Sequence, residues 1–249
     1  MPRFKLTLEY LGTNFSGWQK QKNSYSVQEA IEKAAKKLLQ QKIDLVVAGR
    51  TDSGVHAEGQ VAHFDIINDF CVRKIHLGLN YHLLNEKHGI DISVKKVIKV
   101  KKNFSARFSA KQKLYQYLIF NSDSRSPIYH DKSWWIRRTL NIESMIEGSR
   151  YLIGRHDFSS FRAKGCQANS PLRTLEKIKV SKKKNIIKLS FFAKSFLYNQ
   201  VRIMVGTLRD VGIRSIAPEE VQKILREKNR NIAGITAPAK GLTLRKITY

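Results

Sequence analysis

The stretch VVAGRTDSGVHAEGQVAHF, which runs from Val46 to Phe64, places a polar centre between two apolar runs. The segment IDLVVAG predicts a strand that leads into the RTDSG turn, and GQVAHFDI predicts a strand that leaves it. Asp52 lies inside the turn, followed by a serine and a glycine that favour a bend. We therefore expect this stretch to fold as strand, loop and strand, with Asp52 on the loop.

The residues before this stretch show a strand pattern and then a helix pattern. Apolar and polar residues alternate from Phe4 to Tyr10, which is the two-residue period of a strand with one buried face. The run SVQEAIEKAAKKLLQ instead repeats its apolar residues at helical spacing. Ser26 and Glu29 at its start have the spacing of a capping box. The chain is therefore predicted to open with a strand followed by a helix.

The later part of the chain continues to mix helix and strand patterns. Predicted strands are KLYQYLIF, the hairpin LEKIKVSKKKNIIKLSFFA and the closing LTLRKITY; predicted helices are IESMIEGSRYLIG ending at Gly154, Phe196 to Val211, and one that starts at Ala217-Pro218. This order predicts an α+β fold. We expect two mixed α/β lobes that meet near residue 105, with a largely antiparallel sheet and helices packed on it.

The charge of the chain indicates what kind of partner it binds. Lysine and arginine number 46 against 20 aspartates and glutamates among 249 residues, a formal net charge of +26. Such an excess favours a polyanionic partner, with nucleic acid as the leading candidate. A general lysine bias of the source organism is the alternative explanation, and an acidic membrane surface is a weaker one.

Other features of composition narrow the class of protein. No apolar run is long enough to span a bilayer, which needs about 20 residues, and MPRFKLTLEY does not have a signal-peptide pattern. Cys71 and Cys166 are far apart and lack CxxC spacing, which fits a reducing compartment and gives no zinc signature. These features predict a cytoplasmic protein that does not bind membranes.

On the residues alone, Asp52 has two interpretations. Aspartate before Ser-Gly is more often a turn residue than a catalyst. However, Arg50 lies two residues earlier and would favour the ionised carboxylate, which is a competent nucleophile. His56 and His63 are more often structural in such positions. A glycosidase usually needs a second carboxylate and a metal nuclease needs an acidic cluster, whereas an isomerase acting on a nucleoside's glycosyl bond can use one carboxylate.

The motif AGRTDSGVHAEGQVAHF closely resembles the catalytic motif of the tRNA pseudouridine synthase A family. The resemblance covers nearly the whole chain: GTNFSGWQKQ, FSARFSAKQKLYQYLIFN, GRHDFSSFR, SFLYNQVRIMVGTLRDVG and APAKGLTLRKITY follow in the family's order. The departures are small: Ser53 replaces the usual alanine, Ser105 a frequent histidine, Gln116 a basic residue and Ser195 an asparagine. NYHLLNEKHGIDI also lacks the family's proline.

The resemblance implies a pseudouridine-synthase-like fold and an activity. The fold would comprise an N-terminal lobe, 1–105, with the aspartate loop, and a C-terminal lobe, 106–249, forming one catalytic unit with the active-site cleft between them. The activity would be isomerisation of uridine to pseudouridine at positions 38 to 40 in the anticodon arm of tRNA. It also implies a homodimer that uses no metal or small-molecule cofactor.

The resemblance further implies roles for five residues. Asp52 would be the nucleophile while the N1 glycosidic bond breaks, the uracil turns and C5 bonds to the ribose; it could attack either the base or the sugar. The base must first be extruded from its helical arm. Tyr115 would stack on the flipped uracil, Arg202 would pair with the catalytic carboxylate, Arg50 would hold the loop or a phosphate, and Leu244 would pack against the target ring.

Without the resemblance, several of these residues have ordinary interpretations. Tyr115 would be a strand aromatic facing the core, Arg202 a solvent-facing helix residue and Leu244 a strand leucine. The lysines of Lys95 to Lys102 and of Lys182 to Lys184 are candidates for phosphate contacts or solvated residues. Two other functions also remain open: a non-catalytic tRNA-binding protein, which the presence of Asp52, Tyr115 and Arg202 disfavours, and a metal nuclease.

Overall fold

A computed structural model describes all residues from 1 to 249. The strands are β1 (Arg3–Tyr10), β2 (Val46–Val47), β3 (His56–Asp65), β4 (Ile92–Val100), β5 (Gln112–Asn121), β6 (Trp134–Ile136), β7 (Gly154–Asp157), β8 (Leu172–Lys183), β9 (Ile186–Ala193) and β10 (Leu242–Thr248). The helices are α1 (Val27–Leu39), α2 (Val72–Leu84), α3 (Ile142–Arg150), α4 (Gln200–Gly212) and α5 (Glu220–Glu227). The predicted α+β class is confirmed, and none of the helices is long and apolar enough to cross a membrane.

The chain forms two compact units, and the first comprises Met1–Lys111 together with Leu244–Tyr249. Its strands lie in the order β4-β1-β3-β10, with β2 beside β3. The pairs that β1 makes with β3 and β4 are antiparallel. Helices α1 and α2 pack on each other, and α2 also packs against β4. The first unit is thus a sheet with two helices, and its last strand comes from the end of the chain.

The second unit comprises Gln112–Thr243. Its strands lie in the order β5-β9-β8-β7, and β6 runs parallel beside β5. The β5–β9, β8–β9 and β7–β8 pairs are antiparallel. Helix α3 packs against α4, α5 and β8. The predicted hairpin is confirmed as β8 and β9, and Lys184, which lies in the turn between these strands, has a positive φ of 53°.

The opening strand and helix form for the reasons that their sequences indicate. Every second residue of β1 is buried from Phe4 to Tyr10, so one face of the strand contributes to the core while the other keeps its polar residues. Helix α1 begins after Ser26, whose side chain accepts a hydrogen bond from the backbone N–H of Glu29. Its apolar stripe, which includes Ala30, Ile31 and Ala34, is buried. Both predicted elements are confirmed.

Three helix boundaries differ from those expected. Helix α5 begins at Glu220 rather than at Ala217-Pro218, because the N–H groups of Glu220 and Val221 donate to carbonyls only three residues back. Helix α3 ends at Arg150 because Leu152 and Ile153 donate to carbonyls only three residues back, and Gly154, with φ of 110°, begins β7. Helix α4 begins at Gln200 rather than Phe196, because Asn199 adopts a left-handed conformation with φ of 58°. Tight turns at these three places shorten the regular helices.

Candidate active site

Asp52 lies on the loop between β2 and β3, as the strand, loop and strand pattern predicted. The carbonyl of Asp52 accepts a 3.1 Å hydrogen bond from the N–H of Val55, which closes a tight turn. Gly54 within that turn has φ of 77°, a conformation in which glycine carries no steric cost. The Ser53 hydroxyl donates to the carbonyl of Phe15 at 3.2 Å. The turn is therefore closed by its own backbone hydrogen bond and is also held by the hydrogen bond to Phe15, which lies outside the turn.

The segment after β1 packs directly against this loop. The N–H of Trp18 donates to the carbonyl of Thr51 at 3.0 Å. Gly17 has φ of 98°, and a Cβ there would lie 2.7 Å from the Thr51 carbonyl oxygen. Only glycine combines this backbone conformation with so close an approach. The GTNFSGWQKQ segment therefore supports the backbone that presents Asp52.

A buried polar chain supports the same loop from the sheet. The Tyr10 hydroxyl lies 2.8 Å from the Thr51 hydroxyl. The Gln60 side-chain amide donates to the Tyr10 oxygen at 3.2 Å and to the carbonyl of Gly49 at 2.8 Å. Burial raises the pKa of Tyr10 to about 12, so its hydroxyl stays protonated and can donate.

Arg50 and Asp52 differ in exposure from the residues beside them. Thr51 and Val55 are buried, whereas Arg50 is exposed and Asp52 is partly exposed. The loop therefore keeps its anchoring residues inside, while Arg50 and Asp52 retain solvent-accessible surface. An aspartate that is partly exposed on a constrained backbone is suited to nucleophilic attack on a substrate.

The two histidines near this loop make structural contacts. The Nδ1 atom of His56 accepts from the N–H of Gly12 at 2.9 Å, and the Nδ1 atom of His63 accepts from the N–H of Ala106 at 3.1 Å. Burial lowers the pKa of His63. The Nδ1 atom of each histidine therefore accepts a backbone hydrogen bond, in keeping with the structural interpretation.

Tyr115 lies on β5 in the second unit. Its side chain is 8% exposed, and its ring meets the ring of Phe196 edge to face, with centroids 5.3 Å apart. Tyr117, two residues along the strand, is fully buried and donates to the carbonyl of Pro238 at 2.7 Å. The two tyrosines share a face of the strand, but only Tyr115 keeps exposed surface.

Arg202 lies on α4, close to its beginning. Its Nε donates to the carbonyl of Ala237 at 2.7 Å, and its Nη1 donates to the side chain of Asn199 at 2.8 Å. The N–H of Ala237 in turn donates to the Arg202 carbonyl at 3.1 Å. Arg202 is partly buried, so it is held in one orientation rather than extended into solvent.

Leu244 lies on β10 and has no exposed surface. Its place in the sequence assigned it to the C-terminal lobe, but Leu244–Tyr249, which includes most of β10, belongs to the first unit. That unit therefore contains Arg50, Asp52 and Leu244, and the second unit contains Tyr115 and Arg202.

We expect the stability contribution of Leu244 to be large. Leu244→Ala should lower the free energy of unfolding by about 2–5 kcal/mol, because a buried leucine leaves a cavity when truncated. Leu84→Ala is a matched control, since Leu84 in the same unit is 67% exposed. Urea denaturation of the two variants measures the difference, and equal small losses would contradict the buried position of Leu244.

The two lysine runs lie at the surface, and the potential metal ligands do not cluster. Lys95, Lys96 and Lys99 on β4 are exposed, and so are the lysines from Lys182 to Lys184 at the β8–β9 hairpin. These side chains are accessible to a polyanion, although Lys95 also pairs with Glu9 at 3.0 Å. No group of three or more His, Cys, Asp or Glu side chains is arranged to hold a metal ion.

Comparisons with known proteins agree with the resemblance in the sequence. The family model described as tRNA pseudouridine synthase matches residues 7–109 and 149–249. A tRNA pseudouridine synthase A of Ehrlichia chaffeensis is 46% identical over 99% of this chain and 100% of the relative. Proteins of the same name from Wolbachia pipientis (45%, covering 99% and 100%) and Agrobacterium fabrum (42%, covering 100% and 93%) are similarly close.

The family-model match includes both the segment that contains the Asp52 loop and the segment that contains Arg202, and the matches to the three relatives extend over 99% or more of the chain. Identity of this level over such coverage shows the family directly. The chain belongs to the tRNA pseudouridine synthase A family and is an isomerase.

Proposed function

We propose that the protein converts uridine to pseudouridine at positions 38 to 40 in the anticodon arm of tRNA, with Asp52 as the nucleophile. The observation that carries this proposal is the loop on which Asp52 lies. Its backbone is anchored on both sides by buried groups, while Asp52 itself is partly exposed. Family membership supplies the reaction class and the relatives' names support tRNA as the substrate.

The proposed reaction conserves all atoms of the nucleotide. The bond between N1 and the ribose C1′ breaks, the uracil reorients, and a new bond joins C5 to C1′. The proton leaves C5, and N1 ends with a proton. A carboxylate can stabilise the intermediate covalently, by attack on either the base or the sugar. No other reactant is required, in accord with the proposal that no cofactor or metal takes part.

Tyr115 is proposed to stack on the extruded uracil, as the resemblance implies; it is 8% exposed and its ring packs edge to face against Phe196. Arg50, exposed on the Asp52 loop, is proposed to hold the loop or a flanking phosphate. Arg202 is proposed to keep the charge-pairing role that the resemblance implies. Leu244 is proposed to support the uracil site, and its full burial means that direct ring contact requires its neighbours to move on binding.

The high positive charge supports the choice of partner. A net charge of +26, with exposed lysines on β4 and at the β8–β9 hairpin, suits a polyanion whose phosphates supply much of the binding energy. We further propose that the enzyme acts as a homodimer in the cytoplasm, where tRNA is matured.

Incubation of the purified protein with unmodified tRNA in the presence of a chelator tests the proposed function. We expect pseudouridine to form at positions 38 to 40 while the tRNA strand stays intact. Binding without modification would favour the non-catalytic tRNA-binding protein instead. Strand cleavage, or modification only after a divalent metal is added back, would contradict a metal-free isomerase.

A further inference from the structure

Tyr10, Thr51 and Gln60 form a polar chain inside the first unit. Tyr10 is 2% exposed, Thr51 6% and Gln60 0%, so water does not satisfy their polar groups. Buried polar groups are costly unless they are hydrogen-bonded. Here the hydrogen-bonded chain runs from strands β1 and β3 to Thr51, the residue immediately before Asp52. A role in holding the Asp52 loop would explain why these polar groups are buried.

The hydrogen bonds of this chain connect all three side chains. The Gln60 amide nitrogen donates to the Tyr10 oxygen, and the Tyr10 and Thr51 hydroxyls share a hydrogen bond in which either can be the donor. The same Gln60 nitrogen donates to the Gly49 carbonyl, and the Gln60 carbonyl oxygen accepts from the N–H of Val61. The side chain of Gln60 therefore makes three hydrogen bonds, and its amide cannot rotate without losing them.

These hydrogen bonds therefore hold the Asp52 loop at two points, one on each side of Arg50. Gly49 is held through its carbonyl by Gln60. Thr51 is held through its hydroxyl by Tyr10 and through its carbonyl by the N–H of Trp18. The side-chain anchors, Tyr10 and Gln60, lie on β1 and β3, which are paired strands of one sheet, so they connect the loop to the sheet, whereas Trp18 belongs to the segment after β1.

We propose that Tyr10 and Gln60 are positioning residues that set the orientation of the Asp52 carboxylate through Thr51 and Gly49. This inference rests on the proposed role of Asp52 as the nucleophile. Misplacement of a reacting group by about 1 Å can reduce a rate by about 100-fold. Loss of the chain should therefore slow the chemical step more than it weakens tRNA binding, because neither residue is exposed to the RNA.

Tyr10→Phe and Thr51→Val test the inference, since each removes a hydroxyl with little change of volume. We expect each to lower the single-turnover rate at saturating enzyme about 10-fold, with tRNA affinity within about twofold of the wild type. The double variant should be no slower than either single variant, because both remove the same hydrogen bond. Thr51→Ser, which keeps the hydroxyl, should restore most of the rate.

Tyr249→Phe is a matched control in the same unit. The Tyr249 hydroxyl donates to the Ala106 carbonyl at 2.9 Å, so this variant also loses a tyrosine hydrogen bond to the interior, but away from the Asp52 loop. We expect it to keep the wild-type rate. A structural role alone would instead lower the melting temperatures of Tyr10→Phe and Tyr249→Phe and leave both rates unchanged, and that result would overturn the inference.

If Tyr10→Phe does not fold, the comparison of Thr51→Val with Thr51→Ser gives the same test: equal rates for the two would overturn the inference. Asp52→Asn, assayed in parallel, separates this inference from the proposed function. Inactive Asp52→Asn together with fully active Tyr10→Phe and Thr51→Val would overturn the positioning role alone. Active Asp52→Asn would overturn the nucleophile itself.

Discussion

Asp52→Asn is expected to lower turnover by at least about 1,000-fold while leaving tRNA affinity largely unchanged. Asparagine has nearly the shape of aspartate and is equally suited to a turn. The backbone bond between the Asp52 carbonyl and the N–H of Val55 can therefore persist. The variant removes the negative charge and the nucleophilic oxygen, so the single-turnover modification rate should fall while tRNA binding is retained.

Asp44→Asn is the control for the loss of one negative charge. Asp44 is exposed and precedes β2, so its replacement changes the net charge equally without altering the Asp52 loop. We expect its turnover to match that of the wild type. Substantial activity in Asp52→Asn would mean that Asp52 is a turn residue and that the nucleophile lies elsewhere.

Arg202→Ala is expected to have the second largest effect, a loss of about 100-fold in turnover. It should also lower the free energy of unfolding by about 1–3 kcal/mol, because the Ala237 carbonyl and the Asn199 side chain both lose a charged donor. Arg202→Lys should recover little, since an ammonium cannot reproduce the two directions of the guanidinium. Steady-state kinetics and thermal denaturation measure the two effects separately.

Arg226→Ala provides the comparison for Arg202. Arg226 lies on α5 and is exposed, which is the environment that the ordinary interpretation assigned to Arg202. Its truncation should change stability and turnover little. If the two alanine variants behaved alike, Arg202 would be an ordinary surface residue and its proposed role would be wrong.

Local patterns in the sequence predicted much of the fold. The alternation from Phe4 to Tyr10 and the cap at Ser26 each depend on neighbours within a few residues, and both were confirmed. Helix α2 was not predicted. Its buried residues Ile75, Leu79 and Leu83 are accompanied by exposed apolar residues, so no single apolar stripe stands out.

The candidate site was only partly predictable for a different reason. The family motif indicates Asp52, but the polar chain that holds its loop joins residues far apart in sequence, such as Tyr10 and Thr51. The one sequence signal was Gln60, a polar residue beside the apolar run of β3, which proved to be fully buried. Likewise, the membership of Leu244 in the first unit depends on long-range strand order, which local patterns do not contain.

The most direct measurement of the central claim is a map of pseudouridines in total tRNA from cells that lack the gene. We expect pseudouridine to be missing at positions 38 to 40, and to return when the wild-type gene is restored but not when the Asp52→Asn gene is. Unchanged modification at these positions in the deletion strain, or its recovery with Asp52→Asn, would contradict a tRNA pseudouridine synthase that acts through Asp52.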